Sequence, residues 1–139
     1  MKIVFEDNHF LIVNKRPGQL SQSDKTGDQS ILELCKNYLK LKYNKKGNVF
    51  LGLVNRIDRP TSGLLILAKT SKCLERMNKI LKNREIKKTY VAITEKNTIK
   101  KSGRLINFLK KNEKKNKSFV VNKEVKGSKK SILNYKLIK

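Results

Sequence analysis

Asn55-Arg56-Ile57-Asp58-Arg59-Pro60-Thr61-Ser62-Gly63, followed at once by Leu64-Leu65-Ile66-Leu67-Ala68, is the stretch on which the reading of this chain turns. Pro60 and Gly63 punctuate a turn, and the apolar run after it has the length and composition of a buried strand. On the other side, Val49 to Val54 is a short apolar run that fits a second buried strand. Asp58 is therefore expected on a loop between two core strands. A carboxylate between Arg56 and Arg59 stays ionised, beside cations that also suit phosphate. On spacing alone it can be a salt-bridged structural acid, an electrostatic anchor or a nucleophile.

Working outward, Lys2 to Glu6 and Phe10 to Asn14 read as a hairpin across Asp7-Asn8, closed by Pro17-Gly18. Ile31, Leu34, Cys35, Tyr38 and Leu39 recur at helical spacing, with Asp28 as a candidate cap and an end expected before Gly47. A second helix is signalled by Thr70 or Ser71 as cap and by Cys73, Leu74, Met77, Ile80 and Leu81 on one face. The sequence then predicts a strand over Lys87 to Ile93. Strands follow over Arg104 to Leu109, Ser118 to Val121 and Ser131 to Ile138, as a meander whose Lys110–Lys117 run is a hairpin tip.

A chain of 139 residues suits one domain with a modest core. No stretch approaches the ~18 apolar residues of a membrane span, and the N-terminus has no signal-peptide pattern, so a cytoplasmic protein without a membrane partner is expected. Cys35 and Cys73 lie on apolar helix faces without metal-ligand spacing and read as buried thiols, and the single His9 reads as a loop residue.

The formal charge of +23 favours a polyanionic partner. Twenty-eight Lys against six Arg, with two Ala, also fits the residue bias of an A/T-rich coding sequence, which would raise Lys in any protein of the same source. The distribution says more than the total. Residues 1–70 hold twelve Lys+Arg against six Asp+Glu, and residues 71–139 hold twenty-two against five, so the second half is the better phosphate-tracking surface.

The central run resembles the catalytic segment of the RluA-type pseudouridine synthases, which isomerise uridine in RNA and carry a pattern close to His-Arg-Leu-Asp-x-x-Thr-Ser-Gly. Arg56, Asp58, Thr61, Ser62 and Gly63 match it, and Asn55 stands in place of the His. Val13-Asn14-Lys15-Arg16-Pro17-Gly18 is similar to the family's N-terminal Val-Asn-Lys-Pro-x-Gly box, with the Pro one place on, and Lys88-Thr89-Tyr90 has the form of its Lys-x-Tyr motif. All three fall in the family's order.

The resemblance implies an α+β fold, a mixed and largely antiparallel sheet with helices packed on it. It implies RNA, ribosomal or transfer, as the partner of a monomeric enzyme that needs no cofactor or metal. Asp58 would initiate cleavage of the glycosidic bond of a flipped-out uridine, by adding to the sugar or by assisting proton abstraction at the ribose. Arg56 would take the place of the extruded base or orient the backbone. Tyr90 would pack on the uracil and transfer a proton, although without the resemblance it reads rather as a core aromatic on an amphipathic strand. Thr61 and Ser62 would hold the loop through local hydrogen bonds, and Gly63 would allow the tight exit into the strand. Lys15, Lys88 and Arg59 complete the expected substrate contacts, Arg59 being also a candidate cation for Asp58.

Family chains continue past the strand matched by 131–138 into an Arg-x-His-Gln-Ile-Arg-like segment whose basic residue pairs with the catalytic Asp. Nothing here matches that segment, so residues 1–139 are expected to form a single catalytic domain that is truncated, incomplete at its C-terminus. The alternative is an inactive truncated RNA-binding module, in which Asp58 would be closed in an ion pair. A small basic ribosome-associated protein explains the charge but leaves the order of the motifs to coincidence.

Overall fold

Alternation in the second strand decides the core. In β2 (Phe10–Lys15) successive side chains point to opposite faces of the sheet, and Leu11, Val13 and Lys15 share one face with no exposed surface at all, while β1 (Lys2–Glu6) pairs with it through a register shift between Ile3 and Phe5. The computed structural model describes residues 1–95, 100–115 and 117–138. Two compact units divide the chain, Met1–Thr89 and Tyr90–Lys139.

The first unit holds a four-stranded antiparallel sheet in the order β1-β2-β4-β3, with β3 at Gly52–Leu53 and β4 at Gly63–Ala68. β2 and β4 pair along their full length, from Phe10 opposite Ala68 to Lys15 opposite Gly63. Leu11, Val13, Leu65 and Leu67 meet Ile31, Cys35 and Leu39 of α1 (Ile31–Lys42) in one apolar cluster. The alternate positions Phe10, Ile66 and Ala68 pack with Cys73, Leu74 and Met77 of α2 (Ser71–Lys82) in another. Both cysteines are buried free thiols, and burial pushes the Cys35 thiol up to about 12.

Both helices begin on hydroxyl caps. Thr70 Oγ1 accepts from Cys73 N at 3.2 Å, as the spacing predicts. For α1 the predicted cap is corrected. Ser30, not Asp28, starts the helix, with Ser30 Oγ accepting from Glu33 N and Glu33 Oε2 accepting from Ser30 N in a capping box. Asp28 lies two residues too early and is used elsewhere.

The run from Val49 to Val54 is a strand only at Gly52–Leu53, although Val49, Leu51 and Val54 are all buried. Gly52 is where α2 comes close. A Cβ there would lie 2.5 Å from Leu74 Cδ2. The predicted strand over Lys87 to Ile93 is also absent. Residues 87–93 are irregular and exposed. Their composition suits a strand, but a strand requires a hydrogen-bonded neighbour, and no described strand pairs with them.

The second unit is a three-stranded antiparallel sheet of β5 (Ser102–Asn112), β6 (Lys117–Val121) and β7 (Ser128–Lys136). Its order is β6-β5-β7, which corrects the predicted meander: β5 is central, and β7 returns to its free edge. The Lys110–Lys117 run is the predicted hairpin tip, but β5 absorbs its first three residues. Gly127, at φ +82°, sits third in the turn closed by Ser128 N donating to Val125 O at 2.9 Å.

Candidate active site

The loop from Asn55 to Ser62 links β3 to β4, and its backbone is tied down on both sides of Asp58. Ser21 Oγ donates to Ile57 O at 2.7 Å. Arg59 O accepts from Lys15 Nζ at 3.1 Å and from Gly18 N at 2.8 Å. Asp58 O itself accepts from Thr61 N at 3.0 Å, closing a turn over Arg59-Pro60. Three consecutive carbonyls are thus occupied, and the loop has little freedom to carry its side chains elsewhere.

At the start of the loop, Asn55 continues the sheet after β3 has ended. Its Oδ1 accepts from Ile66 N at 2.8 Å and its Nδ2 donates to Leu64 O at 3.1 Å, so a side-chain amide replaces a strand's backbone against β4. At the far end, Gly63 has φ +141°, a conformation that disfavours any residue with a Cβ.

Beneath the loop, Lys15 ends the buried alternation of β2. Its three ammonium donors go to Gln19 O at 2.8 Å, Arg59 O at 3.1 Å and Arg16 O at 3.2 Å. Every donor is satisfied, which is what makes a fully buried lysine tolerable. Burial pushes its pKa below the ordinary lysine value, and the Asp58 carboxylate pulls it back up. The expectation that Lys15 contacts substrate is corrected, because it has no exposed surface and acts instead as the loop's internal support.

Asp58 is exposed and, among the described residues, its carboxylate makes no ion pair or hydrogen bond. The expected clasp between two arginines is not formed. Arg59 turns away, with Nε donating to Gly18 O at 3.0 Å and Nη2 meeting Asp28 Oδ2 at 2.6 Å. This geometry removes Arg59 as the cation for Asp58. Arg56 is exposed, and no acceptor engages its guanidinium among the described residues. Thr61 is half-buried and Ser62 exposed, and neither hydroxyl forms the expected hydrogen bond among the described residues, since Asn55, Ser21 and Lys15 do the holding.

Lys88 is exposed in the irregular segment that closes the first unit, and Tyr90 opens the second unit with an exposed ring. The residues that the sequence reading missed are Ser21 and Asn55. Ser21 lies in a polar loop with no pattern to mark it, and Asn55 could be found only by knowing that β3 stops two residues before it.

Residues 9–139 match a family profile described as RNA pseudouridylate synthase. A ribosomal large subunit pseudouridine synthase C of Buchnera aphidicola is 38% identical over 91 residues, 66% of this chain and 27% of that protein. An uncharacterized RNA pseudouridine synthase of Mycoplasma genitalium is 40% identical over 95 residues, 65% of this chain and 29% of its own. A ribosomal large subunit pseudouridine synthase D of Borreliella burgdorferi is 30% identical over 141 residues, covering 98% of this chain and 42% of its own. The chain thus spans between about a quarter and two fifths of these relatives. A solved structure, Human RNA Pseudouridylate Synthase Domain Containing 4, superposes with a TM-score of 0.69 at 14% identity over 99% of this chain and 53% of its own, and it shares the α+β fold. With the profile covering nearly all of both units, this chain belongs to the RNA pseudouridylate synthase family.

Proposed function

We propose that the chain carries the reaction centre of an RNA pseudouridine synthase and that Asp58 is its nucleophile. The observation that supports this reading is the loop itself: three anchored carbonyls hold the backbone while the Asp58 carboxylate stays exposed and unpaired among the described residues. A structural acid would be spent in a closed ion pair, as an inactive RNA-binding module would require. This carboxylate is free to meet a ligand.

In the reaction, Asp58 promotes cleavage of the bond between uracil N1 and ribose C1′, by adding to the sugar or by assisting proton loss from it. The uracil rotates within the site, C5 bonds to C1′, and the C5 proton leaves while N1 is protonated. Tyr90 packs on the ring and moves that proton. Arg56, with no competing acceptor among the described residues, fills the gap left by the flipped base or holds a phosphate. The Thr61 and Ser62 hydroxyls and Lys88 offer polar contacts to the nucleotide, and Gly63 sets the loop's exit. Residues 1–139 belong to one catalytic domain in this reading. The names of the relatives favour large-subunit ribosomal RNA as the substrate; transfer RNA is the second candidate in this reading.

Carbodiimide mapping of pseudouridine in transcripts of large-subunit ribosomal RNA and of transfer RNA, after incubation with the 139-residue chain, tests the proposal. A modification stop in the ribosomal transcript that Asp58→Asn abolishes supports it. Stops that persist in Asp58→Asn would remove the nucleophile assignment.

A further inference from the structure

We propose that one face of the β5–β6–β7 sheet is a docking platform for single-stranded RNA, on which bases stack while lysines hold the phosphates. The proposal rests on the RNA-directed reading above and adds to it the surface, the strandedness of the ligand and the mode of contact.

Register assigns the two faces. Even-numbered positions of β5 share one side with their cross-strand partners: Phe108 lies opposite Lys130 and Val121, Lys110 opposite Ser128 and Phe119, and Ile106 opposite Ile132. Ser102 pairs with Lys136, Arg104 with Asn134 and Asn112 with Lys117. This face therefore carries five cations, Arg104, Lys110, Lys117, Lys130 and Lys136, and no acid. The opposite face carries Leu105, Leu109, Val120, Leu133 and Tyr135, and its cations are Lys111 and Lys129. Lys111 is paired with Glu113 at 3.0 Å.

This asymmetry decides against a compositional origin. A bias toward lysine codons would load both faces alike, whereas with five apolar residues on each side one face carries five cations and the other two. Charge complementarity then selects a polyanion for the basic side.

The apolar residues on the basic face select the kind of polyanion. Phe119 is 47% exposed, beside Lys110 and Lys117, and Ile106 is 51% exposed, between Arg104 and Phe108 and opposite Ile132. A duplex offers such a surface only phosphates and 2′-hydroxyls. Unpaired bases offer ring faces that stack on exposed aromatic side chains with little sequence preference. Strands about 4.8 Å apart and alternate residues about 7 Å apart place each aromatic within one residue step of a cation.

Fluorescence anisotropy of a labelled oligouridine and of a duplex RNA of equal length, titrated with the 139-residue chain at several salt concentrations, tests this. The single strand is expected to bind more tightly than the duplex. Phe119→Leu should weaken single-strand binding about tenfold, and Phe119→Tyr should retain it. Lys130→Gln should lower the slope of log affinity against log salt by about 0.7, and Lys129→Gln on the other face should leave it unchanged. Circular dichroism confirms that each variant is folded; should Phe119→Leu unfold, Phe119→Tyr and the two lysine variants carry the test. Wild-type binding by folded Phe119→Leu, or equal losses from Lys129→Gln and Lys130→Gln, would overturn the proposal. Face-dependent binding without any isomerisation would sink the proposed function alone, and isomerisation with face-independent binding would sink this platform alone.

Discussion

Lys15 Nζ donates to the main-chain oxygen of Arg59 at 3.1 Å, joining residues 44 apart in the chain. A buried side chain at the end of β2 therefore fixes the loop next to its catalytic candidate. Burial lowers the pKa of that side chain, and the Asp58 carboxylate opposes part of the shift.

Replacing Lys15 with Met keeps its length and removes its donors. Gln19 O then loses its partner, at about 1–3 kcal/mol where water cannot enter, while Arg16 O keeps Gln19 N and Arg59 O keeps Gly18 N. We expect a urea midpoint clearly below that of the wild type and a larger loss of isomerisation than of stability. A Lys15→Met protein with unchanged midpoint would mean that the cage does not support the loop.

Asn55→Ala removes both bonds to β4 and should cost about 1–2 kcal/mol in urea unfolding. Asn55→Asp keeps the acceptor for Ile66 N but not the donor to Leu64 O, so its loss should be no smaller than half that of Asn55→Ala. Equal stability of all three proteins would show that the amide does not extend the sheet.

The ion pair of Arg59 with Asp28 is half exposed at both ends, so a double-mutant cycle through Arg59→Gln and Asp28→Asn should give a coupling under about 1 kcal/mol. Arg59→Gln should leave isomerisation close to wild type, because its guanidinium is directed to Asp28 and Gly18. A loss comparable with that of Asp58→Asn would restore Arg59 as a catalytic cation.

Glu6 joins β1 to α1 and to the end of β4. Burial raises its pKa, but hydrogen bonds from Lys42, Tyr43, Lys69 and Tyr38 outweigh that effect and lower it to about 2. A carboxylate depressed in the folded state stabilises fully above its unfolded value of about 4.5 and loses that contribution as pH falls toward 2. The melting temperatures of wild type and Glu6→Gln should therefore differ most at pH 5–7 and converge by pH 2. A constant gap across that range would contradict the network.

Much of this was legible in the residues. The helices followed from apolar spacing, and the loop between core strands from its Pro and Gly. The burial of Lys15 was written in the alternation Leu11, Val13, Lys15, but lysine chemistry argues for the surface, and only the three carbonyls that the fold brings together reverse it. Likewise Arg59 looked like a partner for Asp58 because it is adjacent in sequence. Its reach to Asp28 depends on where residues 16–30 return to the loop. The segment 87–93 has strand composition and no strand, because pairing is a property of neighbours and not of the segment.

Tritium release from uracil C5 in bulk cellular RNA, incubated with the 139-residue chain beside Asp58→Asn, tests the central claim most directly. The account predicts release by the wild type that falls to background in the variant, with both proteins equally folded. Equal release by the two would contradict the assignment of Asp58, and no release by either, with RNA still bound, would contradict the proposal that this chain carries a working centre.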